Sequence, residues 1–318
     1  MSFDVLTFGE AMAMFIADQT GELDRVTHFT RGLAGAETNV AVGLSRLGYK
    51  VGWVSKVGND SFGRFIIETL KAEGVDTSHV QMDPYNPTGF LLKSKVESGD
   101  PQVEYFRKGS AASKLGSEDV VPDYFSRASH LHMTGIPPAL STTARDFSKN
   151  VLCLMKSMQR TVSFDPNLRP QLWNSEKEMI QVINEFAMQA DIVLPGISEG
   201  EILTGYTQPR DIAAFYLDQG VKLVVVKLGS EGAYYRTEKE EEMVPGYRVE
   251  RVIDTVGAGD GFAVGIISGI LDGLSLTEIV SRANAIGALA VMSPGDMDGL
   301  PTRDELESFM QDQRTNTR

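Results

Sequence analysis

The sequence predicts an α/β fold built on a mainly parallel sheet, with a small β-rich lid added to it. Three observations carry this expectation. Short apolar runs alternate with helix-like patterns along the chain, as in successive βαβ units. Leu223–Val226 is apolar without alternation, the pattern of a strand covered on both faces. Two stretches, Glu10–Phe29 and Thr88–Arg107, break the rhythm. No repeat or low-complexity linker interrupts the 318 residues. A single domain over 1–318 is expected, with lid segments at about 10–30 and 88–107 inserted.

Taken in order, Phe3–Phe8 reads as the first strand. Thr38–Leu47 reads as a helix, with Val40, Leu44 and Leu47 at helical spacing and Gly48 as the stop. Val51–Val57 is the next strand. Thr88–Arg107 reads as a hairpin whose first arm alternates from Phe90 to Val96 and whose turn is Ser98-Gly99-Asp100-Pro101. Its second arm places Val103, Tyr105 and Arg107 on one face, because strand side chains alternate. Such an insertion either covers a cleft or is a plain surface hairpin. Thr161–Asp165, Ile192–Leu194 and Lys222–Lys227 are further strands. A long apolar helix is expected from Gly261 to Leu271, with Gly261, Gly265 and Gly269 on one side where they permit close packing. Gln311–Arg318 is polar and terminal, and reads as a loose end.

Composition excludes several classes of function. The net charge of −13 opposes general nucleic-acid binding, since a negative field repels phosphates. No apolar run reaches the roughly 18–20 residues that span a bilayer. Met1–Glu10 has no basic segment ahead of an apolar one, so a cytoplasmic location is expected. Cys153 stands alone, which excludes an internal disulfide and a cysteine-based metal site. His130 and His132 alternate on one face of a strand without a third ligand nearby, and read as core or rim residues.

The most informative run is Asp254-Thr255-Val256-Gly257-Ala258-Gly259-Asp260, just before the apolar helix. Gly257, Ala258 and Gly259 would present backbone N–H groups at a helix N-terminus, which is an anion site. Phosphoryl transfer needs one, and a carboxylate beside it can accept the proton of an attacking hydroxyl. Asp260 is placed for that role. The plain alternative is a glycine turn with Asp as a helix cap. Two further glycine-rich runs stand out. Gly32–Ala41 is a tight turn entering a helix, and Lys227-Leu228-Gly229-Ser230-Glu231-Gly232-Ala233 follows a buried strand. A Walker-type G-x-x-x-x-G-K-[ST] is missing, because Arg64 follows Gly58–Gly63 where that motif needs Lys.

Together these runs resemble the ribokinase-like (PfkB) carbohydrate kinase family, from Val5 to about Pro301. The resemblance implies a three-layer sandwich, ATP and Mg²⁺ as cofactors, and Asp260 as catalytic base with Gly257, Ala258 and Gly259 at the transferring phosphoryl group. It implies that Gly35, Ala36 and Asn39 face the sugar, and that Asn167, Lys227, Gly229, Ser230, Gly232 and Asn284 serve the nucleotide. Family members carry an N-x-x-E motif that organises Mg²⁺. Gly196-Ile197-Ser198-Glu199 lacks its Asn, which leaves Glu199 to act through metal-bound water.

Within the family, Gly35–Asn39, Tyr105–Ser113, Asp165–Trp173 and Gly295–Gly299 are most similar to kinases of 2-keto-3-deoxygluconate. That sugar acid is phosphorylated at its 6-hydroxyl. Its carboxylate suits Arg107 and Arg169, since a guanidinium binds carboxylate with two parallel hydrogen bonds, and Tyr105 would meet its hydroxyl or keto groups. A position that the subgroup can fill with a second lid Tyr is Leu91 here. A kinase of fructose or another keto-deoxy acid remains the alternative, and a non-catalytic sugar sensor a more distant one. Many relatives associate through an exposed lid edge, so a homo-oligomer is expected.

Overall fold

The computed structural model describes residues 2–96 and 101–316. Its nine-stranded sheet has the order β13-β12-β11-β10-β9-β8-β1-β4-β5. The strands are β1 Phe3–Phe8, β4 Val51–Gly58, β5 Val80–Asp83, β8 Ala128–Thr134, β9 Thr161–Asp165, β10 Ile192–Val193, β11 Leu223–Lys227, β12 Gly232–Arg236 and β13 Glu241–Pro245. All pairings from β11 to β5 are parallel, and only β12 and β13 run antiparallel at one edge. A separate four-stranded sheet has the order β3-β2-β6-β7, built from β2 Met12–Thr20, β3 Phe29–Ala34, β6 Phe90–Lys95 and β7 Val103–Phe106. The expected mainly parallel sheet and small β-rich layer are both present.

The central strands of the large sheet are buried on both faces, as the apolar run of β11 requires, while the edge strands β5 and β13 are largely open to solvent. Leu223 and Val225 join one core, with the helices Ala36–Arg46, Ala258–Leu271 and Leu276–Ala290. Val224 and Val226 join the opposite core, with the helices Thr142–Ser157, Glu176–Ala187 and Pro209–Leu217. His130 and His132 are buried and both bond the Ser163 hydroxyl, at 2.8 and 2.9 Å. Burial pushes both imidazoles down to about 3, so they are neutral core residues.

Several boundaries differ from the sequence expectation. The lid's first segment extends to Ala34, because β3 pairs with β2 along its whole length, from Phe29↔Ala17 to Ala34↔Met12. The helix expected from Thr38 starts at Ala36. Its cap is Gly35, at φ +154°, where a Cβ would lie 2.7 Å from the Glu10 carbonyl oxygen. The helix expected from Gly261 begins at Ala258, capped by Gly257 at φ +82°. The last helix, Arg303–Asn316, runs through most of the expected loose end. Leu306 is buried and the Phe309 ring meets Tyr247 at 5.5 Å, tilted by 52°, so apolar packing anchors the helix whose last turns are polar. The turn expected at Ser98–Asp100 lies outside the described residues.

Candidate active site

The site forms where the carboxyl ends of parallel strands meet the lid, the usual place for ligands in open α/β sheets. Glu10 follows β1, Asp165 ends β9, Asn167 and Arg169 follow it, and Lys227 ends β11. Two adjoining cavities open there. One, of about 340 Å³, is lined by Gly35, Ala36, Asn39, Tyr105, Arg107, Asn167, Arg169, Gly257, Gly259 and Asp260, with Glu10, Met12, Leu91 and Ile136. The other, of about 900 Å³, is lined by Gly229, Ser230, Gly232, Ala258 and Asn284, and by apolar Tyr247, Val252, Phe262 and Val291. Glu199, Lys227, Thr255 and Gly259 line both. Every site residue expected from the sequence therefore borders one cavity or the other.

Asp260 sits in the first turn of the helix Ala258–Leu271, facing the smaller cavity. Asn39 Nδ2 donates to its Oδ2 at 2.8 Å, and Asn167 Nδ2 approaches its Oδ1 at 3.4 Å. Burial pushes the Asp260 carboxyl up to about 7 against the pull of the Asn39 hydrogen bond; the Asp165 charge adds to the rise and Arg169 opposes it. A carboxylate poised near neutrality is suited to take a proton. Asn167 holds φ +40°, a conformation that Asn tolerates better than most residues. Its own N–H donates to Asp165 Oδ1 at 3.2 Å.

The helix start is where the anion site is expected from the sequence. Its first N–H groups have no intrahelical acceptors; Gly257 and Gly259 border the smaller cavity and Ala258 and Gly259 the larger one, with the Ala258 N–H donating to the Thr255 carbonyl at 3.4 Å. A Cβ on Gly257 would lie 2.3 Å from the Asp296 carbonyl oxygen, so only glycine fits this turn. Lys227 Nζ is held by Asp165 Oδ2 at 2.7 Å. Burial works against the ammonium, but Asp165, Glu199 and Asp260 together leave its pKa raised, so Lys227 stays a cation between the two cavities.

The two arginines are not equivalent. Arg107 Nε donates to Glu10 Oε2 at 2.6 Å, and its Nη2 lies 2.5 Å from the same oxygen. The Ser110 hydroxyl bonds the other Glu10 oxygen. Arg169 has no carboxylate within ion-pair distance among the described residues; its Nη1 donates to the Leu168 carbonyl at 2.9 Å. Both arginines expected at the sugar side border the same cavity, and Glu10 occupies one edge of Arg107.

Glu199 caps the helix Ile197–Thr204 by accepting from Gly196 N at 2.7 Å, and also accepts from Leu168 N at 2.8 Å. Each oxygen thereby accepts one backbone N–H. Asn284 is buried and its amide donates to the carbonyls of Val244 and Pro245, at 3.1 and 3.0 Å.

Sequence reasoning did not single out Glu10, Asp165, Lys93 or Asp296 as individual site residues. Glu10 and Asp165 carry a usable signal, an acid at the end of a predicted parallel strand. Lys93 carries none, being one polar residue in an alternating strand.

A family model described as pfkB family carbohydrate kinase matches residues 2–303. The chain is 58% identical over 316 residues to the 2-dehydro-3-deoxygluconokinase of Bacillus subtilis (strain 168), covering 99% of this chain and 98% of that one. A crystal structure of a PfkB protein from Polaromonas sp. JS666 superposes with a TM-score of 0.90 at 50% identity, covering 96% of this chain and 100% of that one. A putative Ribokinase II from E. coli, solved in complex with ATP and Mg²⁺, superposes with a TM-score of 0.90 at 31% identity, covering 98% and 99%.

Proposed function

The chain belongs to the pfkB family of carbohydrate kinases, and we propose from that premise that it transfers the γ-phosphoryl group of ATP to the 6-hydroxyl of 2-keto-3-deoxygluconate. The products are ADP and 2-keto-3-deoxy-6-phosphogluconate. The observation that carries this reading is Asp260, a buried carboxyl raised to about 7, lying in the same turn as the anion site. The substrate follows from the name of the relative at 58% identity and suits a cavity containing Arg107 and Arg169.

In the reaction, Asp260 accepts the proton of the 6-hydroxyl as its oxygen attacks the γ-phosphorus. The bond from that phosphorus to the bridging oxygen breaks, and ADP leaves with the electron pair. Gly257, Ala258 and Gly259 direct backbone N–H groups at the phosphoryl oxygens, where charge spreads in transfer. Lys227 adds a fixed cation between the cavities. Asn39 and Asn167 orient the base. Gly35 and Ala36 form the floor on the sugar side. Arg169 binds the substrate carboxylate, with the uncommitted edge of Arg107 beside it, and Tyr105 meets the sugar from the lid.

ATP occupies the larger cavity, where Gly229, Ser230 and Gly232 bring backbone close and Asn284 secures the wall. Mg²⁺ accompanies it, as in the E. coli structure holding both. No group of three or more His, Cys, Asp or Glu among the described residues could hold a metal by itself. Glu199, whose oxygens each already accept a backbone N–H, fits a metal bound mostly to phosphate and water, the usual habit of Mg²⁺. When bound, the ion neutralises phosphate charge, and Glu199 would meet it only through its water.

Residues 1–318 act as one kinase domain with the lid inserted. No helix among the described residues is long and apolar enough to cross a membrane; a cytoplasmic location is part of the proposed reading. The lid's edge strand β7 exposes Tyr105 and Phe106, which supports association of copies through the lid. Light scattering on the purified chain tests that.

The reaction is tested by coupled ADP release with Mg-ATP against 2-keto-3-deoxygluconate, 2-keto-3-deoxygalactonate, fructose, ribose and adenosine. Selective turnover of the keto-deoxy acids supports the assignment. Turnover of fructose or ribose in preference would overturn the substrate and the arginine roles while leaving the kinase chemistry.

A further inference from the structure

Lys93 lies on β6 of the lid, two residues beyond Leu91 and on the same strand face. Leu91 borders the sugar-side cavity. Lys93 instead reaches the main domain, where its Nζ lies 2.5 Å from Asp254 Oδ2 and 3.3 Å from Asp296 Oδ1. The three side chains are only 4%, 9% and 9% exposed. Each carboxylate belongs to a segment that shapes the anion site. Asp254 opens the turn, its other oxygen accepting from Val256 N at 3.0 Å. The Asp296 backbone abuts Gly257, the cap of the catalytic helix. The ammonium therefore joins the lid to both walls of the phosphoryl-binding turn.

We propose that Lys93 is a positioning residue for phosphoryl transfer, which locks the turn 254–259 into its working shape and couples that shape to the seating of the lid. The physical reason is local charge. Without the ammonium, Asp254 and Asp296 would be two buried carboxylates repelling one another beside a site that must receive a polyanion. Their separation would move Gly257, and with it the N–H groups that meet the transferring group. Displacement of about 1 Å from such a cause can cost on the order of 10²-fold in rate. The inference concerns the turn and the lid, so it holds for whichever sugar of the panel above proves to be the best acceptor.

The test compares Lys93→Ala, Lys93→Met and Asp296→Asn with the unsubstituted chain. It measures kcat and KM with the best acceptor, ATP affinity by calorimetry, and the melting temperature. The expected result for both Lys93 variants is a fall in kcat of about 10²-fold, with ATP affinity changed by less than about threefold. Methylammonium should restore part of the lost turnover to Lys93→Ala, whose vacated space can receive it, and none to the unsubstituted chain. Asp296→Asn keeps the Asp254 pair and should lose less. A kcat within about threefold of the unsubstituted value in Lys93→Met and Asp296→Asn would overturn the proposal. So would a loss that follows melting temperature alone and ignores methylammonium. If Lys93→Ala does not fold, Lys93→Met and Asp296→Asn decide by the same kcat criterion.

Discussion

Asn39 and Asp260 are 221 residues apart in sequence, yet the Asn39 amide donates to the Asp260 carboxylate at 2.8 Å. The bond joins the first turns of two helices, Ala36–Arg46 and Ala258–Leu271, that pack on the same face of the large sheet. It opposes the burial that raises the Asp260 carboxyl, and so favours the ionised form that the proposed mechanism needs.

Replacing Asp260 by Asn should keep ATP binding and remove about 10²–10⁴-fold of turnover, the usual worth of general-base catalysis. Coupled ADP release with calorimetric ATP titration measures both. Near-normal turnover would remove Asp260 from the mechanism.

The pH profile follows from the same group. Asp260 must be ionised to accept a proton, and its carboxyl is raised to about 7. Activity should therefore fall as pH drops through about 7, well above an ordinary carboxylate's range. In Asn39→Ala the lowering hydrogen bond is gone, so the acid limb should move to higher pH. An unmoved limb would show that another group controls it.

Arg169 and Arg107 should separate by readout. Arg169→Ala removes a cation without a carboxylate partner, and a charged hydrogen bond is worth about 1.5–3 kcal/mol. KM for the keto-deoxy acid should rise about 10–100-fold with little change in unfolding. Arg107→Ala leaves Glu10 buried without its cation, at 0% side-chain exposure. Removing one partner of a buried pair costs about 3–5 kcal/mol, so its urea midpoint should drop. Equal effects of the two variants on KM and on unfolding would contradict this division.

The helix Ala258–Leu271 is held by close packing on its glycine side. A Cβ added at Gly265 would lie 2.3 Å from the Ala283 Cα, on the helix Leu276–Ala290. Gly265→Ala should destabilise by about 1–3 kcal/mol, as overpacking does. It should also lower turnover by tilting Asp260, which leads the same helix. Urea unfolding and kcat check the two effects, and an unchanged midpoint would show that the helices can part without cost.

Much of this protein was decided locally, and local patterns were readable in the sequence. Unbroken apolar runs such as Leu223–Val226 mark strands covered on both faces. Gly257 and Gly259 at the start of an apolar helix, followed by Asp260, carry the proposed anion site and the proposed base. The resemblance then extended these marks to Asn39, Lys227 and Arg169, all of which border the cavities. Tertiary structure alone decided the rest. The charge state of Asp260 depends on burial and on Asn39, which chain folding brings from a distant helix. The difference between Arg107 and Arg169 depends on Glu10, which lies 97 residues before Arg107 in the sequence and is brought to it by folding. The role open to Lys93 depends on two acids 161 and 203 residues away. Side-chain type and spacing specify elements, because helices and strands are short-range structures. Charge pairing and desolvation are long-range, and they take effect only where the folded chain brings those groups together.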